Sequence, residues 1–409
     1  MSKVFSDNIT ISIDIGTTKI CVLVAKYDAN GIQILGVGKS PSNGLKKGIV
    51  VDISKTVQSI KNAIKEAEFV SGYTIENASI GISGSHIQSF NSNGAVPIKK
   101  NQVKEYDIAN VIAAAKAIVI PEGQQILHVL PQYFSIDSQD RIHNPLGMFG
   151  IRLEAQVHII TGSVASVQNL VQCCQMSGVK VTDIILEQLA SADAVLSEDE
   201  RELGVGMLDI GGGTSDFALY YNRSIRHTKV IPIAGNHFTN DIAVGLQTTL
   251  TDAERIKQKY GLAASRLLIE DRDIEIELAQ GNLRKIVPQA FLVRIIESRA
   301  IELISLVNQE IQKYNLKNFM PTGLVLTGGG SLLQGMQDVA QETFKIPVRI
   351  GIPKTNKNFP ESLNNPMYST AYGLLLQTIN KQNNSIDSFN GPMAAKIYYR
   401  MKSWISDFF

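Results

Sequence analysis

Apolar runs separated by glycine-rich turns organise the first seventy residues. Residues 9–13 (ITISI) alternate apolar and polar side chains, and residues 20–25 and 32–37 are largely apolar. This pattern predicts three strands, of which the first two form a hairpin. Asp52 is placed to cap a helix that runs to about Val70, because apolar residues recur behind it at helical spacing.

Strands and helices alternate again after a segment of different character. Residues 83–161 hold an alanine-rich helix (106–119) between β-like stretches and three prolines, which predicts an inserted α+β subdomain. A second series of strands starts at residues 206–210, and helical patterns follow at 288–314 and 367–379. The order predicts an α/β fold.

A polar stretch and an amphipathic stretch close the sequence. Residues 381–391 are rich in Asn and Ser and lack periodicity, so we expect a flexible linker. In residues 392–409, written as a helix, one continuous arc is apolar: Met393, Ile397, Met401, Trp404, Ile405 and Phe408. Lys396 and Arg400 lie beside that arc. Trp and Phe on one face, with cations beside them, favour a membrane-targeting helix at the bilayer interface. A helix docked on the protein's own body is the alternative.

Composition narrows the class of protein. The 409 residues carry a net charge of +1, which argues against a nucleic-acid binder. Three cysteines are too few for a disulfide framework and form no CxxC pair, so we expect a reducing cytosol. The first ten residues lack the apolar core of a signal peptide, and no apolar run is long enough to span a bilayer.

Two matching turns provide the candidate chemistry. Residues 11–19 (ISIDIGTTK) and 207–216 (MLDIGGGTSD) each place Asp-Ile-Gly and small hydroxylated residues after an apolar strand, which suggests two related halves. Glycines let a backbone approach phosphate closely, and successive N–H groups form an anion nest. A third glycine turn lies at residues 328–330.

The side chains around these turns suit a phosphate chain with its metal. Thr17, Thr18 and Thr214 offer hydroxyl donors, and Lys19 offers a cation. Asp14 and Asp209 suit Mg²⁺ held largely through its waters. No Walker A motif and no GxSxG nucleophile elbow is present.

Five motifs in order resemble the actin, sugar kinase and heat-shock chaperone ATPase superfamily. Residues 14–19 and 209–216 resemble its two phosphate loops, and 327–331 (TGGGS) its adenosine motif. Residues 187–196 (EQLASADAVL) and 368–375 (YSTAYGLL) resemble the helices that connect its two lobes. The resemblance implies a two-lobed ATPase fold.

Longer stretches resemble one branch, the FtsA family of actin-like bacterial cell-division proteins. These are residues 196–216, 231–243, 252–261 and 324–336. The resemblance implies an actin-like fold with an inserted subdomain 1C and a C-terminal amphipathic helix. Its expected boundaries are 1–83, 162–203 and 353–380 for subdomain 1A, 84–161 for 1C, 204–250 and 315–352 for 2A, 251–314 for 2B, 381–391 for the linker and 392–409 for the membrane helix.

The resemblance also assigns roles to individual positions. The expected ATP-binding residues are Gly16, Thr17, Thr18, Lys19, Gly212, Gly213, Thr214, Gly235, Asn236, Glu254, Lys257, Gly328, Gly329 and Ser331. Asp14 and Asp209 are expected to hold Mg²⁺. Glu187 stands where related ATPases position the attacking water, and a plain connecting-helix carboxylate is the alternative.

Partners follow from the same resemblance. It implies filaments of the chain itself, contact with inner-membrane lipids, binding of the FtsZ C-terminal peptide, and recruitment of later divisome proteins at the septum. Arg284, Lys285, Arg294 and Arg299 are candidates for that acidic, apolar peptide, and a solvated helix face is the alternative. We expect ATP binding with weak or slow hydrolysis.

Three other functions fit the superfamily. A sugar kinase needs a general base for its substrate hydroxyl, and no kinase-specific signature is found. A chaperone ATPase needs a substrate-binding β domain, for which about 30 residues remain after Ile379. A pilus-assembly relative has a similar fold and insertion, but ERELGV (200–205) and the amphipathic end argue against it.

Overall fold

The computed structural model describes residues 9–28, 31–281, 283–354 and 360–390, with residues 383–390 described by their backbone only. Two five-stranded sheets each form the centre of a lobe, and a four-stranded sheet forms an inserted domain. The inserted domain and the second lobe each have a hydrophobic core, and the core of the first lobe extends onto one face of the second lobe's sheet, at residues such as Met207, Ala218 and Val325.

The first lobe contains the elements before the insertion and those directly after it. Before the insertion come β1 (Ile9–Ile15), β2 (Lys19–Asp28), β3 (Gly31–Pro41), β4 (Leu45–Lys46), β5 (Ile49–Val50), α1 (Ile53–Ser71) and β6 (Asn77–Ile82). The inserted domain consists of β7 (Gln88–Pro97), α2 (Glu105–Lys116), β8 (Gln124–Ile136), β9 (Gln139–Ile142) and β10 (Arg152–Ser163). After it come α3 (Val164–Met176), β11 (Lys180–Leu186), α4 (Glu187–Val195) and α5 (Glu198–Leu203).

The second lobe follows, and the last helix returns to the first lobe. The second lobe contains β12 (Val205–Ile210), β13 (Ser215–Tyr221), β14 (Ser224–Ile231), α6 (Gly235–Leu246), α7 (Leu250–Tyr260), β15 (Asp273–Glu277), β16 (Arg284–Pro288), α8 (Gln289–Lys313), β17 (Leu324–Thr327), α9 (Met336–Phe344) and β18 (Val348–Ile350). The last helix is α10 (Ser369–Asn390).

The two large sheets have the same topology. Their orders are β11-β6-β1-β2-β3 and β14-β13-β12-β17-β18. In each, the central strand pairs antiparallel with the next strand of the chain and parallel with a later one. The internal similarity of the two Asp–Gly turns therefore extends to two whole half-structures, as the sequence predicted.

Local sequence explains most element boundaries. Asp52 caps α1 by accepting a hydrogen bond from the Lys55 N–H at 3.0 Å, and Gly72 ends that helix in the left-handed region. Where α4 crosses α10, a Cβ on Gly373 would lie 1.8 Å from the carbonyl oxygen of Ala190. These two helices pack too closely at that point for any other residue.

The structure differs from the sequence predictions at two places. We expected a flexible linker from Lys381, but α10 continues to Asn390, so the linker prediction is wrong for residues 381–390. No Pro or Gly interrupts this stretch, and Lys381 and Gln382 contact Asp183 and Thr10 of the first lobe. The β15–β16 hairpin was missed, although DIEIE (273–277) alternates strictly.

Candidate functional site

The two Asp–Gly turns meet face to face between the lobes. In each, a glycine N–H bonds across the turn: Gly16 to the Lys19 carbonyl at 3.1 Å, and Gly211 to the Thr214 carbonyl at 3.0 Å. A Cβ on Gly212 would lie 2.3 Å from the Thr18 side chain, and one on Gly213 would lie 2.4 Å from Thr17 Oγ1. The structure thus brings together two turns that lie far apart in the sequence.

The two predicted metal-binding carboxylates are buried at this contact. Asp209 Oδ2 accepts hydrogen bonds from Ser191 Oγ (2.5 Å) and Thr370 Oγ1 (3.1 Å), both from the first lobe. Among the described residues, none donates a hydrogen bond to the Asp14 carboxylate. Burial raises the pKa of Asp14 to about 6, with Lys19 opposing and Asp209 adding to the shift. Burial also raises the pKa of Asp209, against its two hydrogen bonds.

Two further acids, Glu187 and Asp216, interact electrostatically with Asp209, and Glu187 also with Asp14. Glu187 begins α4 beside Gly81, and burial together with the charges of Asp14, Asp216 and Asp209 raises its pKa well above the usual value. Sequence reasoning gave Asp216 no role, although a charge inside an otherwise apolar strand is a signal that could have identified it. Burial raises the pKa of Asp216 to about 7.

Asp216 also links the two lobes. Its carboxylate accepts hydrogen bonds from Ser83 Oγ at 2.7 Å and from Thr214 Oγ1 at 3.1 Å. Ser83 follows β6 of the first lobe, whereas Thr214 and Asp216 belong to the second. The second turn is therefore held against the first lobe by a buried carboxylate.

Two lysines lie against one aromatic ring near the turns. Lys19 Nζ donates to the Met367 carbonyl at 2.7 Å and lies 4.2 Å from the centroid of the Tyr368 ring. Lys39 Nζ lies 4.6 Å from the same centroid. Both ammonium groups keep N–H donors for an anion, and Lys39 was absent from the predicted site.

The residues predicted to flank the nucleoside gather beside the second turn. The N–H groups of Gly235 and Asn236 bond to the carbonyls of Gly211 and Gly212, at 3.0 and 2.8 Å. Lys257 Nζ donates to Glu254 Oε2 (2.7 Å) and to the Gly235 carbonyl (3.1 Å).

The third glycine turn supports Asp209. Gly328 has φ +80°, and a Cβ there would lie 2.1 Å from Asp209 Oδ1. Gly329 has more room, since the nearest atom to a Cβ there would be Met367 Cβ at 3.8 Å. Ser331 is buried, and its hydroxyl donates to the Gly328 carbonyl at 2.7 Å, so this side chain closes its own turn.

The basic residues proposed for peptide binding do not share one environment. Arg299 forms two hydrogen bonds with Asp241, at 2.5 and 3.0 Å, and also pairs with Glu302. Arg284 pairs with Glu275 at 3.2 Å, and the Arg294 guanidinium lies 5.7 Å from the Phe291 ring centroid. Lys285 is exposed on β16. The lipid-binding positions predicted in residues 392–409 lie outside the described residues.

Three further observations concern membrane-crossing helices, metal-binding clusters and surface grooves. Within the described ranges, no helix combines the length and apolar character that crossing a membrane requires. In the same ranges, no three acidic, His or Cys side chains converge closely enough to hold a metal by themselves. A groove of about 410 Å³ on the second lobe is lined by residues such as Arg266, Glu297 and Ile301, and none of the buried carboxylates of the cleft lines it.

Comparison with known proteins agrees with this architecture. Residues 206–373 match the family model for cell division protein FtsA, and residues 84–161 match the SHS2 domain inserted in FtsA. The FtsA of Pseudomonas aeruginosa is 43% identical over 413 residues, which cover 99% of both chains. The FtsA of Escherichia coli K12 is 39% identical over 383 residues, covering 92% of this chain and 91% of that one.

Solved structures show the same fold at low identity. A PilM–PilN type IV pilus biogenesis complex matches with a TM-score of 0.65 at 17% identity, covering 90% of this chain and 98% of that one. MreB5 of Spiroplasma citri bound to ADP matches with a TM-score of 0.56 at 15% identity, covering 92% and 98%. The fold is therefore actin-like α/β with an inserted domain, and the near full-length identity shows that this chain belongs to the FtsA family of cell division proteins.

Proposed function

We propose that this chain binds ATP, polymerises on the cytoplasmic face of the bacterial inner membrane, ties the FtsZ ring to that membrane at the septum and recruits later divisome proteins. The observation that carries the proposal is the contact between the two glycine turns, which sets Asp14 and Asp209 from opposite lobes in one electrostatic cluster. Relatives named as cell division proteins cover nearly the whole chain, which favours this function over a sugar kinase, a chaperone ATPase or a pilus-assembly protein.

The donor set of the cleft fits a triphosphate with Mg²⁺. Turn N–H groups, threonine hydroxyls and Lys19 can donate to phosphate oxygens, while Asp14 has an acceptor that no described residue satisfies. Asp14 and Asp209 would hold Mg²⁺, largely through water, since this ion needs few protein ligands when phosphates supply others. The bound ion would neutralise phosphate charge and polarise the phosphoryl group.

Two carboxylates are placed for a role in hydrolysis. A raised pKa brings Glu187 and Asp216 towards the range in which a carboxylate accepts a proton near neutral pH. We assign Glu187 to orient the attacking water and Asp216 to hold the second turn in place. Turnover is expected to be slow, because positioning residues by themselves do not set the rate of phosphoryl transfer.

Nucleotide binding is tested by titrating the full chain with a fluorescent ATP analogue, with and without Mg²⁺. Asp14→Asn is expected to weaken Mg²⁺-dependent binding by about tenfold or more, because a metal ligand is lost. Asp199→Asn, on the exposed face of α5, is the matched control and should bind like the wild type. Equal affinity of the two variants would contradict the proposed site.

Membrane attachment is tested by co-sedimentation with anionic liposomes. Removing residues 392–409 should abolish sedimentation while ATP binding and the unfolding temperature stay unchanged. Trp404→Ser should weaken binding because it removes apolar surface, whereas Ser406→Ala, on the polar side of the predicted helix, should not. One such helix binds weakly, so filament formation is expected to strengthen attachment through avidity. Sedimentation of the truncated chain would refute the tether.

FtsZ binding is tested with the C-terminal FtsZ peptide. Since Asp241 and Glu302 already pair with Arg299, an acidic peptide has to replace one of them. Arg299→Gln should weaken binding and Asp241→Asn should strengthen it. Arg255→Gln removes an equivalent charge paired with Asp252 and serves as the control. No difference between Arg299→Gln and its control would remove Arg299 from the site.

A further inference from the structure

A polar seam joins the inserted domain to the second lobe. Ser89 Oγ donates to the Thr228 carbonyl at 2.8 Å, and Gln132 Nε2 donates to the Ile225 carbonyl at 2.8 Å. His158, buried in β10, lies 2.9 Å from Thr228 Oγ1. These bonds attach β7, β8 and β10 to β14, so side chains from two domains are held at fixed positions along the seam.

Arg226 occupies a β-bulge on this seam. The pairing of β13 with β14 passes from Leu219–His227 to Tyr220–Ile225, which leaves Arg226 without a cross-strand partner. A bulge turns the side chain of the extra residue away from the regular alternation of its strand.

Three aromatic rings surround the Arg226 guanidinium. Its central carbon lies 4.9 Å from the ring centroid of Phe319, 5.8 Å from that of Tyr221 and 5.9 Å from that of Tyr133. Tyr133 belongs to the inserted domain and the other two rings to the second lobe. Stacking at these distances holds the planar cation in place and partly desolvates it.

The charge of Arg226 is not balanced by a neighbouring acid. No described residue forms an ion pair with its guanidinium, whereas the nearby Arg223 pairs with Glu202 at 2.5 Å. Arg141, exposed on β9 of the inserted domain, adds a second cation that forms no ion pair with any residue in the described part of the chain. Burial is the main cause that lowers the pKa of Arg226, and the charge of Arg141 adds to it, while Tyr133 and Tyr221 oppose the shift.

We propose that this seam site, formed by Arg226, Arg141, Tyr133, Tyr221 and Phe319, binds an acidic segment of a partner protein. A carboxylate can form two parallel hydrogen bonds with a guanidinium whose orientation is already fixed. Arg, Tyr and Phe are the residues enriched in the energetically dominant parts of interfaces. The half-exposed rings offer apolar contact that a peptide side chain can use and a free anion cannot. This site is separate from the nucleotide cleft and from Arg299, and its existence does not depend on the proposed function.

The test is fluorescence anisotropy of a labelled EEFEE peptide titrated with the full-length chain, with KKFKK as the charge-reversed control. Arg226→Gln should weaken EEFEE binding about tenfold, and Arg226→Lys about fivefold, because lysine keeps the charge but loses the planar fork. Arg141→Gln should weaken it about threefold, since a more exposed charge contributes less. Arg223→Gln, which removes a nearby charge already paired with Glu202, is the matched control and should change it by less than about twofold.

Several results would overturn the proposal. One is equal affinity of Arg226→Gln and the wild type. Another is a loss of EEFEE binding in Arg299→Gln but not in Arg226→Gln, which would place the peptide at the other cationic surface. Full displacement of the peptide by millimolar inorganic phosphate would indicate a small-anion site instead. Unfolding temperatures of all variants are measured in parallel, and peptide affinities are compared well below the lowest of them, because Arg226→Gln also removes the contacts with three rings.

Discussion

Replacing Asp216 by Asn tests whether the buried carboxylates of the cleft oppose folding in buffer without nucleotide or metal. The pKa of Asp216 rises from an ordinary value of 3.8 to about 7, first because of burial and then because of Asp209. The folded chain therefore holds this proton more tightly than the unfolded chain. The contribution of Asp216 to the free energy of unfolding must therefore fall as pH rises from about 4 to 7, the window between its pKa in the unfolded and in the folded chain.

The magnitude follows from the size of that shift. About three pKa units correspond to a penalty of roughly 4 kcal/mol once the carboxylate is ionised in both states. Asn cannot ionise, and its amide oxygen can still accept a hydrogen bond from Ser83 or Thr214. Between pH 5 and pH 8, the stability of the variant relative to the wild type should increase by about 3 kcal/mol, which is the part of the penalty that develops in this range.

Urea unfolding followed by circular dichroism at pH 5 and pH 8, with EDTA present, measures this difference. Asp199→Asn is again the control, because an exposed carboxylate should leave the pH dependence of the wild type unchanged. If Asp216→Asn loses as much stability between the two pH values as the wild type does, the pKa of Asp216 is not raised in the folded chain, and the reasoning fails.

Three further outcomes are expected. Gly328→Ala should lower the free energy of unfolding by about 2–4 kcal/mol, because φ is positive there and the new Cβ would clash with Asp209. Gly123→Ala is the control: φ is +76°, but no atom lies within 4 Å of the new Cβ, so it should cost only about 1 kcal/mol. Arg349→Met should cost about 1 kcal/mol at pH 7 in urea unfolding, because it breaks two partly exposed bonds to Glu200 at 2.7 and 2.8 Å. That cost should shrink towards pH 3 as Glu200, whose pKa is lowered mainly by Arg349 and the Ser197 N–H against burial, takes up a proton. In thermal unfolding, ATP should stabilise the wild type more with Mg²⁺ than without it, because at one ATP concentration the stabilisation of the folded chain grows as the dissociation constant falls.

Local sequence predicted the repeated part of the fold well. Each half begins with an apolar strand, an Asp–Gly turn and a second strand, and these signals are contiguous in the chain. Prediction failed where contacts distant in sequence decided the outcome. Residues 381–390 have a composition typical of linkers, yet α10 continues through them, with Lys381 and Gln382 held by Asp183 and Thr10.

The same distinction between local and distant contacts separates the site residues that the sequence identified from those that it did not. The glycines, threonines and carboxylates of each turn could be identified because they all occur within a stretch of about ten consecutive residues. A charge within an apolar strand marks Asp216 as unusual, but its role depends on Ser83, and that of Lys39 on Tyr368, which other parts of the chain supply.

By itself, the sequence determined most strands, helices and turns other than β15–β16 and residues 381–390, the two matching Asp–Gly turns, and the amphipathic pattern of residues 392–409. Periodicity and glycine chemistry are local properties, so they can be read along the chain. Only the tertiary structure decided that Arg299 is paired with Asp241 and that Arg226 has no acidic partner among the described residues. Desolvation and charge pairing depend on distances between residues far apart in sequence, and only the folded chain sets those distances.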